Sequence, residues 1–177
     1  MSASPLTVTL NPCVDVVVAV DRIESDRKLR CTPIGRYPGG GGLNVARVLR
    51  RLGHDVRALW SRGGIAGQRL ARLLDAEDVP HEGLEVEGET RENFIVRERE
   101  ARRHFRFGMP GAKIGDAARR RWRERLTTLD RPADPIVLSG SLPPDVSGSW
   151  FGDLVAALPD GIRTVVDTKG DALRAAV

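Results

Sequence analysis

The 177-residue chain reads as an α/β protein, a parallel sheet flanked by helices with a small antiparallel β lid. Three observations predict this. Hydrophobic spacing switches repeatedly between a strand-like period of two and a helical period, the pattern of β-loop-α units on a parallel sheet. A glycine run, Gly39 to Gly42, leads directly into a helical pattern. Two pairs of short alternating segments interrupt the β-loop-α order.

In chain order, Leu6 to Leu10 predicts a first strand. Leu43 to Leu52 predicts a helix closed by Gly53, followed by a strand over Val56 to Trp60 and a helix over Ile65 to Ala76. Ile114 to Leu126 is a further helix, Pro135 to Leu138 a buried strand, Ser149 to Leu158 a helix and Thr164 to Val166 a strand. Gly170 to Val177 begins another amphipathic helix with no terminating signal. The lid strands fall near 16–33 and 91–107: Val16 to Val20, Lys28 to Pro33, Asn93 to Arg97 and His104 to Phe107 alternate as a two-sided antiparallel sheet does. The whole length is expected to belong to one domain.

Composition narrows the function classes. With 41% hydrophobic residues the chain can bury a core of single-domain size. Cys13 and Cys31 lack metal-ligand or Cys-x-x-Cys spacing and are expected to be buried thiols in a reducing cytoplasm. No signal-like or membrane-spanning run occurs. The net charge of +4 is dispersed among 24 acids, and the one dense basic run, Arg119 to Arg123, suits a solvated helix face, so no nucleic-acid partner is expected.

Four glycines entering a helix allow a polar ligand to approach the backbone closely, and free N–H groups at a helix start favour anionic or polar groups. Asn44 adds an amide. The dinucleotide fingerprint fails, because Asn44 or Val45 stands where its third glycine belongs. The phosphate-binding P-loop fails too, since no Gly-Lys-Ser/Thr follows. Taken alone, the run fits a structural turn as well as a binding loop.

Further motifs decide between these. Asn11 to Asp15, Lys28 to Thr32, Pro38 to Arg47, Thr90 to Asn93, Met109 to Gly111 and Leu138 to Pro144 together resemble the ribokinase-like sugar kinases. Within that fold family they are most similar to the phosphofructokinase B branch, and they span Thr9 to Asp171 in the family's order. The resemblance implies a ribokinase-like fold and ATP-dependent transfer to a sugar phosphate. The all-glycine loop favours fructose 6-phosphate as acceptor. The 1-phosphofructokinases and tagatose-6-phosphate kinases of the branch usually carry Gly-Gly-Lys-Gly there, with lysine in place of Gly41.

The resemblance also implies site residues. Asp15 would accept hydrogen bonds from sugar hydroxyls, and Gly39, Gly40, Gly41 and Asn44 would hold the sugar ring. Arg91 would clamp the phosphate, because the planar guanidinium fork matches phosphate oxygens. Lys28 and Arg30, expected on a lid strand, would add charge, within the chain or across a dimer, and Arg106 is a further candidate; for Arg30 and Arg106 a solvent-facing strand arginine is the competing reading. Asn93 would contact ligand or lid backbone. Ser139 follows a buried strand, at whose carboxyl end ligands gather in open α/β sheets, or else it only lets the chain turn.

The nucleotide half of the chemistry is not found. The branch's Gly-Ala-Gly-Asp segment, which supplies the base and an anion hole, does not occur in this chain. Asp167 to Asp171 imitates the family's Asp-Thr-x-Gly-x-Gly-Asp with two residues missing, so Asp171 is expected as a helix N-cap. Asp167 is the candidate Mg²⁺ ligand of an intact enzyme using ATP. The expectation is the N-terminal portion of a longer kinase, with its C-terminal part missing and inactive alone. A non-catalytic sugar-phosphate binding module uses the same residues and remains the competing class, whereas the failed fingerprint disfavours an oxidoreductase. Alternating Val16, Val18 and Val20 need cover, which a homodimer through the lid would supply.

Overall fold

The computed structural model describes residues 4–129 and 133–176; Val177, the end of the predicted final helix, lies outside them. A five-stranded parallel sheet forms the body. Its strands are β1 (Ser4–Thr9), β4 (Arg57–Arg62), β5 (His81–Glu85), β8 (Ala133–Ser139) and β9 (Thr164–Asp167), in the order β5-β4-β1-β8-β9. A second sheet holds β2 (Cys13–Val20), β3 (Thr32–Gly39), β6 (Arg91–Glu98) and β7 (Arg103–Phe107), in the order β3-β2-β6-β7. The helices are α1 (Gly41–Arg51), α2 (Gly64–Asp75), α3 (Gly115–Thr127), α4 (Trp150–Ala157) and α5 (Asp171–Ala175).

Alternation along the parallel strands divides the core between the two faces of the body. Leu6, Val8, Leu10, Leu59, Ile136 and Leu138 pack with Trp122 and Leu126 of α3 and Phe151 and Leu154 of α4. Ala58 and Trp60 face the other way, with Leu43 of α1 and Leu70 and Leu74 of α2. Each fully buried leucine or phenylalanine here stabilises the fold by about 1.5–3 kcal/mol. Thr7 and Thr9 break the apolar run of β1 on the α1 face, and both are fully buried.

The second sheet is mixed rather than antiparallel. β2 and β6 pair in parallel, from Cys13↔Arg91 to Val20↔Glu98, while β3 and β7 pair antiparallel to them. Both β2 and β6 follow a strand of the body (β1 and β5) and run outward from its carboxyl end, which makes them parallel; β3 and β7 return.

The strand expected over Lys28 to Pro33 is displaced. Pairing of β3 with β2 runs from Ala19↔Thr32 to Cys13↔Gly39, so β3 begins where β2 ends and residues 21–31 have no strand to join. Lys28 and Arg30 thus sit on an irregular connection, not a strand. Cys31 is exposed with them, while Cys13 is buried. Pro33 and Pro38 are tolerated because β3 is an edge strand. Asp171 is the first residue of α5 and Gly170, with φ 63°, occupies the cap. Val20 is buried, and Val16 and Val18 are half-buried.

Candidate functional site

The site begins with the end of β1. Thr9 faces α1, and its hydroxyl accepts the Leu43 N–H at 2.9 Å. That bond serves a helix start whose own cap residue, Gly40, offers no side chain. Gly40 has φ 121°, a conformation that side-chain-bearing residues rarely adopt. At Gly42 a Cβ would stand 2.6 Å from the Val8 carbonyl oxygen, so only glycine lets the helix sit this close to β1.

From this helix start an arc of contacts runs across both sheets. A Cβ on Gly39 would meet Asp15 Oδ2 at 2.7 Å and Cys13 Sγ at 2.5 Å, so the Asp15 carboxylate lies directly over the glycine backbone. A Cβ on Gly41 would stand 2.2 Å from Ser139 Oγ. The Ser139 hydroxyl donates to Asp167 Oδ2 at 2.8 Å, and Gly140 N–H donates to the Asp167 carbonyl at 2.9 Å. Asp15, Gly39, Gly40, Gly41, Ser139 and Asp167 therefore form one continuous floor, from the lid to the carboxyl ends of β8 and β9.

Asn93 stands beside Asp15 on the neighbouring lid strand and donates to Asp15 Oδ1 at 3.2 Å and to Cys13 Sγ at 3.1 Å. The Cys13 thiol in turn donates to Asp15 Oδ1 at 3.4 Å. Burial, reinforced by the Asp15 charge, pushes this thiol up to about 12, so it stays a neutral donor. Arg91 reaches backwards: its guanidinium donates to the carbonyls of Asn11 at 3.0 Å, Pro12 at 3.4 Å and Met109 at 3.2 Å. With five N–H donors in all, the guanidinium has two beyond these three bonds.

The lid register puts Arg106 across from Ile95, on the face that carries Asn93 and Asp15. Asn44 is exposed one turn along α1. Lys28 and Arg30 make no contact with the arc among the described residues; their connection hangs from the lid's far end.

Several residues of the site carried no role in the sequence reading. Arg47 holds the glycine loop from behind, donating to the Pro38 carbonyl at 2.9 Å and to Asn44 Oδ1 at 3.1 Å. Its other guanidinium edge pairs with Glu77 at 2.7 and 2.8 Å. Asn11 ties β1 to the loop after β8 through Ser141 Oγ and the Leu142 carbonyl, both at 3.1 Å. The i, i+3 spacing of Asn44 and Arg47 was the available signal for Arg47; nothing local pointed to Glu77.

The profile of the pfkB family carbohydrate kinases matches residues 8–175. The Escherichia coli K12 ATP-dependent 6-phosphofructokinase isozyme 2 is 39% identical over 172 residues, covering 97% of this chain and 55% of that protein. A Staphylococcus epidermidis tagatose-6-phosphate kinase is 30% identical over 169 residues, 95% of this chain and 54% of its own. The crystal structure of Escherichia coli phosphofructokinase-2 with fructose-6-phosphate superposes with a TM-score of 0.92 at 38% identity, over 98% of this chain and 57% of that one. The chain thus spans about half the length of the relatives it matches.

Proposed function

Because the chain belongs to the pfkB family of carbohydrate kinases and has its ribokinase-like fold, we propose that it carries the acceptor-sugar half of an ATP-dependent kinase for fructose 6-phosphate. The observation that carries this reading is the continuous arc from Asp15 over the glycine loop to Ser139 and Asp167. Asp15 accepts from sugar hydroxyls, and the helix-start backbone offers N–H donors at Gly41 and Gly42, which no described residue satisfies. The sugar phosphate takes the remaining Arg91 donors, with Arg106 on the same lid face; Lys28 and Arg30, at the lid's far end, would reach a phosphate only in a second copy of the chain. Transfer would go to the 1-hydroxyl.

Gly41 supports the substrate assignment. Ser139 Oγ and the Gly140 backbone fill the space a side chain at 41 would need, so this loop has no room for the lysine of the 1-phosphofructokinase and tagatose-6-phosphate kinase pattern unless the chain after β8 shifts.

In-line phosphoryl transfer needs a base and donors for the developing charge. The Gly-Ala-Gly-Asp segment that would supply them is not in this sequence, so the 177 residues are proposed to bind the acceptor without transferring phosphate. Among the described residues no group of three metal-ligating side chains exists. Mg²⁺ would rest on Asp167 and nucleotide phosphates, an arrangement this ion accepts, and would offset phosphate charge when bound.

Ile34, Tyr37, Phe94 and Phe107 expose large apolar surface on the lid. We propose that a second copy of the chain covers Phe94 and Phe107, which share a face with Val16. The Escherichia coli relative has been described as tetrameric in an inhibited form. No described helix is long and apolar enough to cross a membrane.

Calorimetric titration with fructose 6-phosphate, fructose 1-phosphate and tagatose 6-phosphate tests the substrate. Preference for the first supports the proposal; preference for either of the others replaces it. Turnover of fructose 6-phosphate with MgATP by this chain would overturn the inactivity.

A further inference from the structure

We propose that Asn93 is a positioning residue that links the Asp15 carboxylate to the lid hinge at Met109. The lid joins the body through residues 10–12, Gly40, residues 86–90 and residues 108–114. Met109 lies in the last of these, two residues beyond β7. The residue is 46% exposed, so apolar packing does little to fix it.

Polar groups from one strand hold Met109 instead. Asn93 Oδ1 accepts the Met109 N–H at 3.1 Å, and Arg91 Nη1 donates to the Met109 carbonyl at 3.2 Å. Both backbone groups of this hinge residue are therefore gripped by β6, and Arg91 ties it at the same time to Asn11 and Pro12 in the first crossing.

The grip of Asn93 depends on Asp15. Its amide is planar, with the NH₂ end donating to Asp15 Oδ1 and Cys13 Sγ while the oxygen end faces Met109. Turning the amide over would set NH₂ against the Met109 N–H and its oxygen against a carboxylate, so the network fixes the orientation. Cys13 sulfur is a weak acceptor, which leaves Asp15 as the group that holds the amide. A ligand that orders Asp15 thereby tightens Met109, and the lid hinge registers sugar occupancy through one side chain. That consequence rests on the sugar-binding role of Asp15; the link itself is tested without sugar.

The test is residue-resolved amide hydrogen exchange on the full chain without ligand, reading Met109 against Leu138 in the buried strand β8. Asp15→Ala and Asn93→Ala should each speed Met109 exchange by about fivefold or more, the scale of one lost hydrogen bond, while Leu138 stays unchanged. Asp15→Asn retains an acceptor oxygen and should restore Met109 to within about twofold of the wild type. Unchanged Met109 exchange in Asp15→Ala would overturn the proposal. So would equal acceleration of Met109 and Leu138 in Asp15→Ala and Asp15→Asn alike, because Met109 would then report only global opening. Loss of sugar binding with the Met109 pattern intact would contradict the functional reading and leave this link standing.

Discussion

Ser139 Oγ occupies the space beside Gly41 where a Cβ would stand, 2.2 Å from that position, and is held there by its 2.8 Å bond to Asp167. The crowding is not relieved by a serine rotamer alone, because Gly140 N lies 2.8 Å from the same point. Gly41→Ala should therefore destabilise the fold by about 1–3 kcal/mol, the usual cost of overpacking. A urea titration checks it. Adding Ser139→Ala should recover only part of the loss, and full additivity of the two changes would show that the residues do not press on each other.

Arg47 and Glu77 give the glycine loop a pH dependence. The Arg47 hydrogen bonds hold the Glu77 carboxyl below its ordinary value of 4.5. A depressed folded-state value means the contribution is complete above the unfolded value and is lost as pH falls through the lower, folded one. Wild-type stability should thus fall across the acid range below about pH 5, and Glu77→Gln should flatten part of that slope. Stability curves of equal slope for the two proteins would show the pair to be uncoupled from folding.

How much of this was legible in the sequence depended on range. Asp15, the glycine run and Ser139 lie in short motifs, and the structure brings them together. Strand β5 was missed because His-Glu-Gly-Leu-Glu has one large apolar residue; it forms through its register with β4, from Ala58↔His81 to Arg62↔Glu85. Leu29 and Cys31 alternate with polar neighbours convincingly enough to suggest a strand, but β2 ends too early to pair with them. Thr9, Arg47 and Glu77 matter through contacts 26–34 residues apart, which no local pattern announces.

The two thiols should differ sharply. Cys13, pushed up to about 12 by burial and the Asp15 charge, holds almost no thiolate at neutral or mildly basic pH, whereas Cys31 is exposed. A disulfide-exchange reagent at about pH 8 should modify one thiol per native chain and two after denaturation. Fast reaction at both would mean that the lid base is open.

The lid face should mediate self-association. Phe94 is 43% and Phe107 52% exposed on one face, and Phe94→Asp or Val18→Asp should weaken the contact by at least about tenfold, as loss of a central apolar anchor does. Sedimentation velocity across a concentration series reads this, and unchanged sedimentation of both variants counts against the lid as the interface.

The most direct test of the central claim is thermal stability of wild type and Asp15→Ala with fructose 6-phosphate or MgATP, because a ligand of the folded state raises the transition. The account predicts that fructose 6-phosphate raises the wild-type midpoint, that Asp15→Ala loses most of that rise, and that MgATP gives none. A rise with MgATP and none with the sugar phosphate, or an equal sugar-phosphate rise in Asp15→Ala, would contradict it.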